Sequence, residues 1–190
     1  MKIGINGSGQ LAHPNLDAIV TDIENSEADG FASYWLAQTA LADSLAMLAI
    51  AGRTTSTIEL GTAVVPTWTR HPDVMAAGAL TAQAASNGRN VLGIGVAHQP
   101  SVEGRWGMTW ERPVNHMSEY LAIIDSLLET GTASLQGEIW SLDQQAALIT
   151  DTKPLVMVAA LGEQMLKIAG KRTDGTILWC VGPKTVSYTH

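Results

Sequence analysis

The stretch Asn90-Val91-Leu92-Gly93-Ile94-Gly95-Val96-Ala97-His98 decides the fold of this chain. Its apolar run lacks the polar alternation of a half-exposed strand, which indicates a strand buried on both faces in a parallel sheet under helices. The two glycines let a neighbouring strand or a ligand come close. The first polar side chain after the run is His98, at the carboxyl end of the strand, where α/β folds bind ligands. The alternative is an ordinary surface histidine that follows a buried strand.

The rest of the chain alternates strand and helix patterns around this segment. Further strands are predicted at residues 2–6, 31–36, 57–65, 155–160 and 176–181. Helices are predicted to begin at Asn15, at Asp43 or Ser44, at Pro72, at Pro113 and at Gly162. Three other segments are predicted to form a polar loop at residues 99–111, a short hairpin or cover at Glu138–Leu142, and the start of another helix at Gly182–Val186.

Two architectures fit six such strands: an open doubly wound sheet or part of a (β/α)₈ barrel. A full barrel needs about 250 residues. This chain has 190, so a barrel would lack two strand–helix units. The segment Gly7–Ala12 reads GSGQLA, formally the dinucleotide-binding motif of a doubly wound fold. Against that interpretation, Pro14 would break the helix that the motif requires, and the second predicted strand ends without an acidic residue for the ribose.

Composition excludes several classes of protein. Hydrophobic residues make up 46% of the chain and charged residues 15%, which excludes a disordered chain. The net charge of -7 argues against nucleic acid or an anionic membrane surface as a partner. Cys180 is the single cysteine, so neither a disulfide framework nor a cysteine-built zinc site is predicted. No metal site of another kind is predicted either. Because Met1 opens no signal peptide and no apolar stretch could span a bilayer, we expect a cytoplasmic protein.

A second informative segment ends the third predicted strand. Residues 60–72 read LGTAVVPTWTRHP, and Trp68, Arg70 and His71 crowd the carboxyl end of that strand. In a parallel sheet this end lies on the same edge as His98. The edge therefore collects the side chains that a ligand site would use.

Three segments together carry a resemblance to a known family. They are LGTAVVPTWTRHP at residues 60–72, LGIGVAH at 92–98, and residues 159–175, which run from AALG to DG. The chain resembles the luciferase-like monooxygenase superfamily, and within it the oxidoreductases that depend on the deazaflavin coenzyme F420. The resemblance implies a (β/α)₈ TIM barrel, incomplete here, with about six β/α units. It assigns residues 1–186 to the family domain and leaves residues 187–190 as a tail outside it.

The resemblance also implies where the cofactor ring binds. Family members have a non-prolyl cis peptide in a bulge of the third strand, and here that bond lies between Ala63 and Val64. Val96, at the end of the fourth strand, is a further implied contact. Relatives often have an acid followed by a histidine at the end of the second strand. This chain has Gln38, an implied cofactor contact, and Thr39, an implied catalytic residue.

The remaining implied site residues lie after strands four, five and six. His98 stands where some members have a glutamate, and as a histidine it could exchange the proton that accompanies hydride transfer. The amides of Leu161, Gly162 and Glu163 open a helix and are implied to bind the phosphate of the cofactor, although relatives often have a second glycine in place of Leu161. The implied lining of the substrate pocket is Trp68, Trp179 and Cys180.

The resemblance thus implies an oxidoreductase that transfers a hydride between coenzyme F420 and a small organic substrate. An FMN-dependent luciferase-like monooxygenase is the alternative, because the same barrel holds both rings. A non-catalytic truncated remnant is a further alternative, because two strands are missing and Gln38-Thr39 replaces the acid–histidine pair. A barrel that lacks two strands leaves two strand edges unpaired. We therefore expect either a homodimer that covers these edges or a chain of marginal stability.

Overall fold

The computed structural model describes residues 2–39 and 41–179 of the chain. All six predicted strands begin within a few residues of their expected starts, and the last two residues of the sixth, 180 and 181, lie outside the described residues. In chain order the strands are β1 (Gly4–Asn6), β2 (Ser33–Leu36), β3 (Glu59–Thr62), β4 (Val65–Pro66), β5 (Asn90–Gly95), β6 (Thr132–Gln136), β7 (Ser141–Gln145), β8 (Leu155–Ala159) and β9 (Gly175–Ile177). Cys180, the helix start predicted at Gly182–Val186 and the tail predicted at residues 187–190 lie outside the described residues.

The helices begin and end at local signals in the sequence. They are α1 (Leu16–Ala28), α2 (Ser44–Gly52), α3 (Pro72–Ala85), α4 (Pro113–Thr130) and α5 (Glu163–Arg172). Asp43 Oδ1 accepts a hydrogen bond from Ala46 N at 3.1 Å, so Asp43 is the cap of α2 and Ser44 its first residue. α4 ends at Gly131, whose φ of 71° is the left-handed conformation that terminates helices. Within the part of the chain that the structure describes, no helix has both the length and the apolar character needed to cross a membrane.

The strand order decides between the two predicted architectures. The main sheet has the order β1-β2-β3-β5-β8-β9, with β4 paired to β5 beside this path. The pairs β1–β2, β2–β3, β3–β5 and β8–β9 are parallel. This order follows the chain, as in a (β/α)₈ barrel, whereas a doubly wound sheet reverses its order at a switch point. All six residues of β5 are buried, as its apolar run predicts.

The segment after β1 is not a dinucleotide-binding turn. Gly7–Ala12 forms a 3₁₀ helix that begins after Asn6, whose Oδ1 accepts a hydrogen bond from Ser8 N at 3.1 Å. α1 begins only at Leu16. Because the dinucleotide motif needs a helix that starts inside its glycine-rich turn, the structure excludes the doubly wound interpretation of this segment.

The polar loop predicted at residues 99–111 contains a regular turn that the sequence did not indicate. Ser101–Arg105 forms a π-helical turn. It begins because the carbonyl oxygen of His98 accepts hydrogen bonds from Ser101 N at 2.9 Å and from Val102 N at 3.1 Å. Val102 is fully buried and anchors the turn through its apolar side chain.

Backbone contacts divide the chain into two compact units. The first unit contains the described part of Met1–Val65, together with Gly78–Gly93 and Ile149–Leu155. Its core is apolar and comes chiefly from α1, α2, β2 and β3. The core side chains include Ile19, Ile23, Tyr34, Leu36, Leu48 and Leu60.

The second unit contains Pro66–Ala77, Ile94–Leu148 and the described part of Val156–His190. Its long helix α4 buries one face. That face includes His116, Met117, Tyr120, Leu121, Ile124 and Leu128. β6 and β7 form an antiparallel hairpin after this helix.

The hairpin confirms one prediction and corrects its placement. The segment Glu138–Leu142 was predicted to form the short hairpin or cover, but its first three residues form the turn and only its last two begin β7. The carboxylate of Glu119 accepts hydrogen bonds from the backbone N–H groups of residues 138, 139 and 140 at 3.0, 2.9 and 2.9 Å. These N–H groups are therefore not available to a strand ladder.

Candidate active site

The backbone after β3 has the local geometry that the resemblance implies. The Ala63–Val64 peptide bond is cis, which confirms that prediction. Ala63 N donates a hydrogen bond to Leu36 O at 2.8 Å, and Val64 O accepts one from Gln38 N at 3.2 Å. In the first unit this segment is thus bonded to the carboxyl end of β2, and it interrupts the strand between β3 and β4. The side chain of Val64 is half-buried.

Gln38 and Thr39, at the carboxyl end of β2, differ in how far their side chains are engaged. Gln38 Oε1 accepts hydrogen bonds from Ser44 N at 2.9 Å and from Ser44 Oγ at 3.1 Å, and Gln38 Nε2 donates to Ala42 O at 2.6 Å. Both acceptor positions of the Gln38 amide are therefore occupied, and one N–H remains. Thr39 is exposed.

The end of β5 presents His98 to solvent. Val96 and Ala97 are half-buried and His98 is exposed. Ala97 has a φ of 59°, a left-handed conformation that costs a residue with a Cβ about 1–2 kcal/mol. This residue turns the chain away from the strand direction, and His98 follows it, three residues after the last residue of β5.

Six ring side chains of the second unit pack together, and we call them the aromatic cluster. They are Trp68, His71, Trp110, His116, Tyr120 and Trp140. Trp68 stacks on His116 with ring centroids 3.9 Å apart and planes at 29°, and it lies 5.8 Å from Trp110. Trp140 contacts His116 and Tyr120 edge-on, with centroids 5.2 and 5.4 Å away.

His116 is the buried centre of the aromatic cluster. It is fully buried, and Nε2 lies 2.8 Å from Thr67 Oγ1. Thr67 Oγ1 donates to Gly95 O at 3.3 Å, so it accepts from His116, and this pattern assigns the proton to Nε2. Burial lowers the pKa of His116 to about 4, although the negative charge of Glu119 acts in the opposite direction. The imidazole is therefore neutral at neutral pH.

Three nitrogens of the aromatic cluster are buried without a hydrogen-bond partner among the described residues. They are Trp68 Nε1, His116 Nδ1 and Trp140 Nε1. Buried polar groups nearly always have a partner, so each exception requires an explanation. Trp68 was predicted from the sequence as a site residue, whereas His116 and Tyr120 were not. Their spacing of four residues on α4 was the available signal, since it places both rings on the face that the helix buries.

The amino terminus of α5 is open. Its cap residue, Gly162, provides no side-chain hydrogen bond, and a Cβ placed there would meet nothing within 4 Å. Glu163 Oε1 lies 2.7 Å from Lys167 Nζ, and this hydrogen bond and charge lower the pKa of Glu163. Leu161 is 52% exposed. Free amides at a helix amino terminus are suited to an anion such as a phosphate.

The remaining predicted site residues are not drawn into these arrangements. Trp179 is 69% exposed, and Cys180 lies outside the described residues. Across residues 2–39 and 41–179, no group of three or more His, Cys, Asp or Glu side chains is arranged to hold a metal ion.

Comparison with known proteins places these features in a family. The family model described as luciferase-like monooxygenase matches residues 2–188. The 5,10-methylenetetrahydromethanopterin reductase of Archaeoglobus fulgidus is 30% identical over 185 residues, which cover 97% of this chain and 54% of the reductase. The chain thus spans about half the length of this relative.

Solved structures share the fold. The coenzyme F420-dependent tetrahydromethanopterin reductase of Methanopyrus kandleri superposes with a TM-score of 0.81 at 21% identity, covering 100% of this chain and 59% of that one. The monooxygenase RslO1 of Streptomyces bottropensis superposes with a TM-score of 0.86 at 18% identity, covering 100% and 64%. Together with the strand order, these likenesses identify the α/β fold as an incomplete (β/α)₈ barrel. The chain belongs to the luciferase-like monooxygenase family.

Proposed function

We propose that this protein transfers a hydride between coenzyme F420 and a small organic substrate. The observation that carries the proposal is the kinship of 97% of the chain with a methylenetetrahydromethanopterin reductase at 30% identity. The fold is also that of a reductase described as F420-dependent. When bound, F420 would supply the hydride chemistry, and the protein would supply binding, orientation and the proton.

The open end of α5 fits the anionic part of such a cofactor. We assign the amides of Leu161, Gly162 and Glu163 to the phosphate, because no side chain caps this helix. Glu163 does not oppose an anion with an unpaired charge, since its carboxylate is bonded to Lys167. The geometry therefore supports a phosphate contact at this position.

We assign the ring of the cofactor to the backbone after β3 and, as the family resemblance implies, to Val96 and Gln38. Val64 presents a half-buried apolar side chain after the cis peptide, and Ala63 precedes it. Val96 offers a second half-buried apolar side chain. Gln38 would donate to the cofactor through its one remaining amide N–H. Its oxygen and its other N–H are hydrogen-bonded to Ser44 and Ala42, at the start of α2 and just before it.

His98 is the proposed proton carrier. It is exposed directly after β5, so its imidazole can exchange a proton with a substrate or with water. Thr39, which is also exposed, is proposed to orient the substrate through its hydroxyl, since a threonine hydroxyl is a poor proton donor near neutral pH. Trp68, Trp179 and Cys180 are the proposed lining of the substrate pocket.

Cofactor titration tests the proposal. The 190-residue chain is titrated with F420 and, separately, with FMN, and binding is followed by cofactor fluorescence. We expect F420 to bind and FMN to bind at least tenfold more weakly. Tighter binding of FMN would support the flavin-dependent monooxygenase instead, and binding of neither cofactor would support a non-catalytic chain.

A matched pair of variants tests the phosphate assignment. Gly162→Asp places a carboxylate at the open helix end, where charge repulsion should weaken F420 binding about tenfold or more. Gly162→Ala adds a Cβ into open space without charge and should leave the affinity unchanged. Equal F420 affinities of the two variants would show that the phosphate does not bind at the amino terminus of this helix.

A further inference from the structure

We propose that the aromatic cluster binds a neutral, apolar substrate that carries a hydrogen-bond-accepting oxygen, and that Trp68 is the residue that selects it. This inference rests on the proposed function, because it names the class of substrate for that reaction. It concerns only residues of the second unit.

The backbone fixes Trp68 at the strand end where ligands bind. The residue before it, Thr67, donates from its N to Gly95 O at 2.9 Å, and Thr67 Oγ1 lies 3.3 Å from the same oxygen. Gly95 is the last residue of β5. Trp68 therefore follows a residue that is bonded to the carboxyl end of the most buried strand, the edge on which barrels of this class bind substrates.

The orientation of the Trp68 ring is also fixed. His116 stacks on it at 3.9 Å and is itself held by Thr67 at 2.8 Å. The ring remains half-buried, and so does that of Trp110, which lies 5.8 Å away. Trp110 belongs to residues 107–112, which have no regular secondary structure. The two indoles thus present an apolar surface, and Trp110 lies on a segment without regular secondary structure.

The unpaired nitrogens specify the polar part of the guest. Trp68 Nε1 and Trp140 Nε1 are hydrogen-bond donors only, and both are buried without an acceptor among the described residues. A buried N–H group without a partner is energetically unfavourable. A ligand oxygen that accepts its hydrogen bond therefore stabilises the complex. Because Trp68 Nε1 is closed off from solvent, an oxygen reaches it only if side chains around the indole rearrange.

Charge distinguishes this guest from an anion. Burial holds the pKa of His116 well below its usual range, so the ring behind Trp68 is neutral near neutral pH. The carboxylate of Glu119, whose charge acts on His116, is occupied by three N–H groups of the hairpin turn. The two unpaired donors, Trp68 Nε1 and Trp140 Nε1, are uncharged, and so is the unpaired acceptor His116 Nδ1; uncharged donors suit a carbonyl oxygen better than a carboxylate.

Three small probes and two variants test the proposal on the 190-residue chain without cofactor. Acetophenone carries a ring and a carbonyl oxygen, ethylbenzene lacks the oxygen, and benzoate replaces the ketone with a charged group. Binding is measured by saturation-transfer NMR. Trp68→Phe keeps an aromatic ring and removes the N–H, so we expect it to weaken acetophenone binding about fivefold to thirtyfold and to change ethylbenzene binding less than about twofold. Trp106→Phe, outside the aromatic cluster, is the matched control and should change neither.

A second measurement uses only the wild-type chain. In ¹⁵N-labelled wild-type chain, acetophenone should shift the indole N–H resonance of Trp68 downfield, and ethylbenzene should not. Unchanged acetophenone binding in Trp68→Phe, tighter binding of benzoate than of acetophenone, or no binding of acetophenone would each overturn the proposal. F420 titration decides the proposed function separately, so a chain that binds F420 but not acetophenone refutes this inference alone.

Discussion

His98 and His116 show how burial determines what a histidine can do. His98 is exposed after β5, whereas His116 is fully buried on the first turn of α4. Burial lowers the pKa of His116 to about 4, so its ring does not gain or lose a proton near neutral pH. Of these two histidines, His98 is therefore the one suited to carry a proton, and His116 is suited to orient Trp68.

Replacing His98 tests its role as proton carrier. His98→Ala should lower the turnover number of the enzyme with F420 about 10²–10⁴-fold, the usual contribution of a general acid or base. F420 affinity should change little, because the proposed ring and phosphate contacts lie on other residues. His13→Ala, at another exposed histidine, is the control and should retain turnover. Retained turnover in His98→Ala, or loss of its cofactor binding, would show that the proton is carried elsewhere.

The carboxylate of Glu27, in the first unit, should make the free energy of unfolding depend on pH in the acidic range. Burial alone would raise the pKa of Glu27, but the backbone N–H groups of residues 58, 57 and 56 and the hydroxyl of Thr57 lower it to about 2 from its ordinary value of 4.5. The folded chain thus holds this proton less tightly than the unfolded chain. The resulting stabilisation is complete above pH 4.5 and is lost as the pH falls towards 2.

Glu27→Gln should therefore lower the free energy of unfolding at pH 7 by about 1–2 kcal/mol, a modest value because the carboxylate is only half-buried. The difference from wild type should shrink between pH 4.5 and 2. Urea titrations at several pH values measure it, with Glu24→Gln on the same helix as the control. A difference that persists unchanged at the acid end would show that the hydrogen bonds do not depend on ionisation.

The residue level also shows where sequence reasoning reaches its limit. His98 could be found because the apolar run before it is local and ends at that residue. The burial of His116 could be expected from its place on the apolar face of α4, but its hydrogen-bond partner, Thr67, lies 49 residues earlier in the chain. No local pattern contains that pairing.

Among the larger elements, the turn of the β6–β7 hairpin is bonded to one side chain of α4, Glu119. The Glu119 carboxylate accepts three backbone N–H groups of the turn, and these donors lower its pKa although burial acts in the opposite direction. A Cβ at Gly137 would lie 2.4 Å from Glu119 Oε2, so this glycine leaves room for the carboxylate. The turn carries Trp140, which packs against Tyr120 and His116. Glu119 thus helps to hold one ring of the aromatic cluster.

Glu119→Gln should loosen the hairpin turn. The amide replaces a charged double acceptor with one neutral oxygen, so the N–H groups of residues 138–140 should exchange with solvent about tenfold to a hundredfold faster. Hydrogen exchange followed by NMR measures the effect. Asp143→Asn, at an exposed position of β7, is the control. Exchange rates that match in both variants would mean that the turn is held by the strand pairs alone.

Helices and strands differ from this hairpin in how far they could be predicted. The beginnings of α2 and α4 follow from local signals, the Asp43 cap and Pro113 with Gly131 at the far end. β5 follows from its apolar run. The hairpin extends beyond the predicted segment on both sides, from Thr132 to Gln145, and its turn is bonded to Glu119, 19 residues before Glu138. Elements with local determinants were thus found with nearly their observed bounds, and the hairpin, whose turn has a distant partner, was found only in part.

At the scale of the whole molecule, the ends of the sheet differ from its centre. β1 and β9 are the terminal strands of the described sheet order, and each pairs with one neighbour in it. The residues of β1 are exposed or half-buried and those of β9 are half-buried, whereas β5 is buried throughout. An unpaired strand edge can accept another strand, so β1 and β9 are where a second copy of the chain would pair.

Hydrogen exchange on the 190-residue chain tests this difference. Amides in β5 should exchange at least about a hundredfold more slowly than those in β1 and β9, because a strand with one partner opens without unfolding the sheet. Repeating the measurement over a range of protein concentrations separates the two expectations for the open edges. Protection of β1 or β9 that rises with concentration would show a homodimer that covers the edge, and weak protection at every concentration would show a monomer with frayed ends. Equal, concentration-independent protection of all three strands would contradict both, because it would require each terminal strand to have a second partner within the same chain.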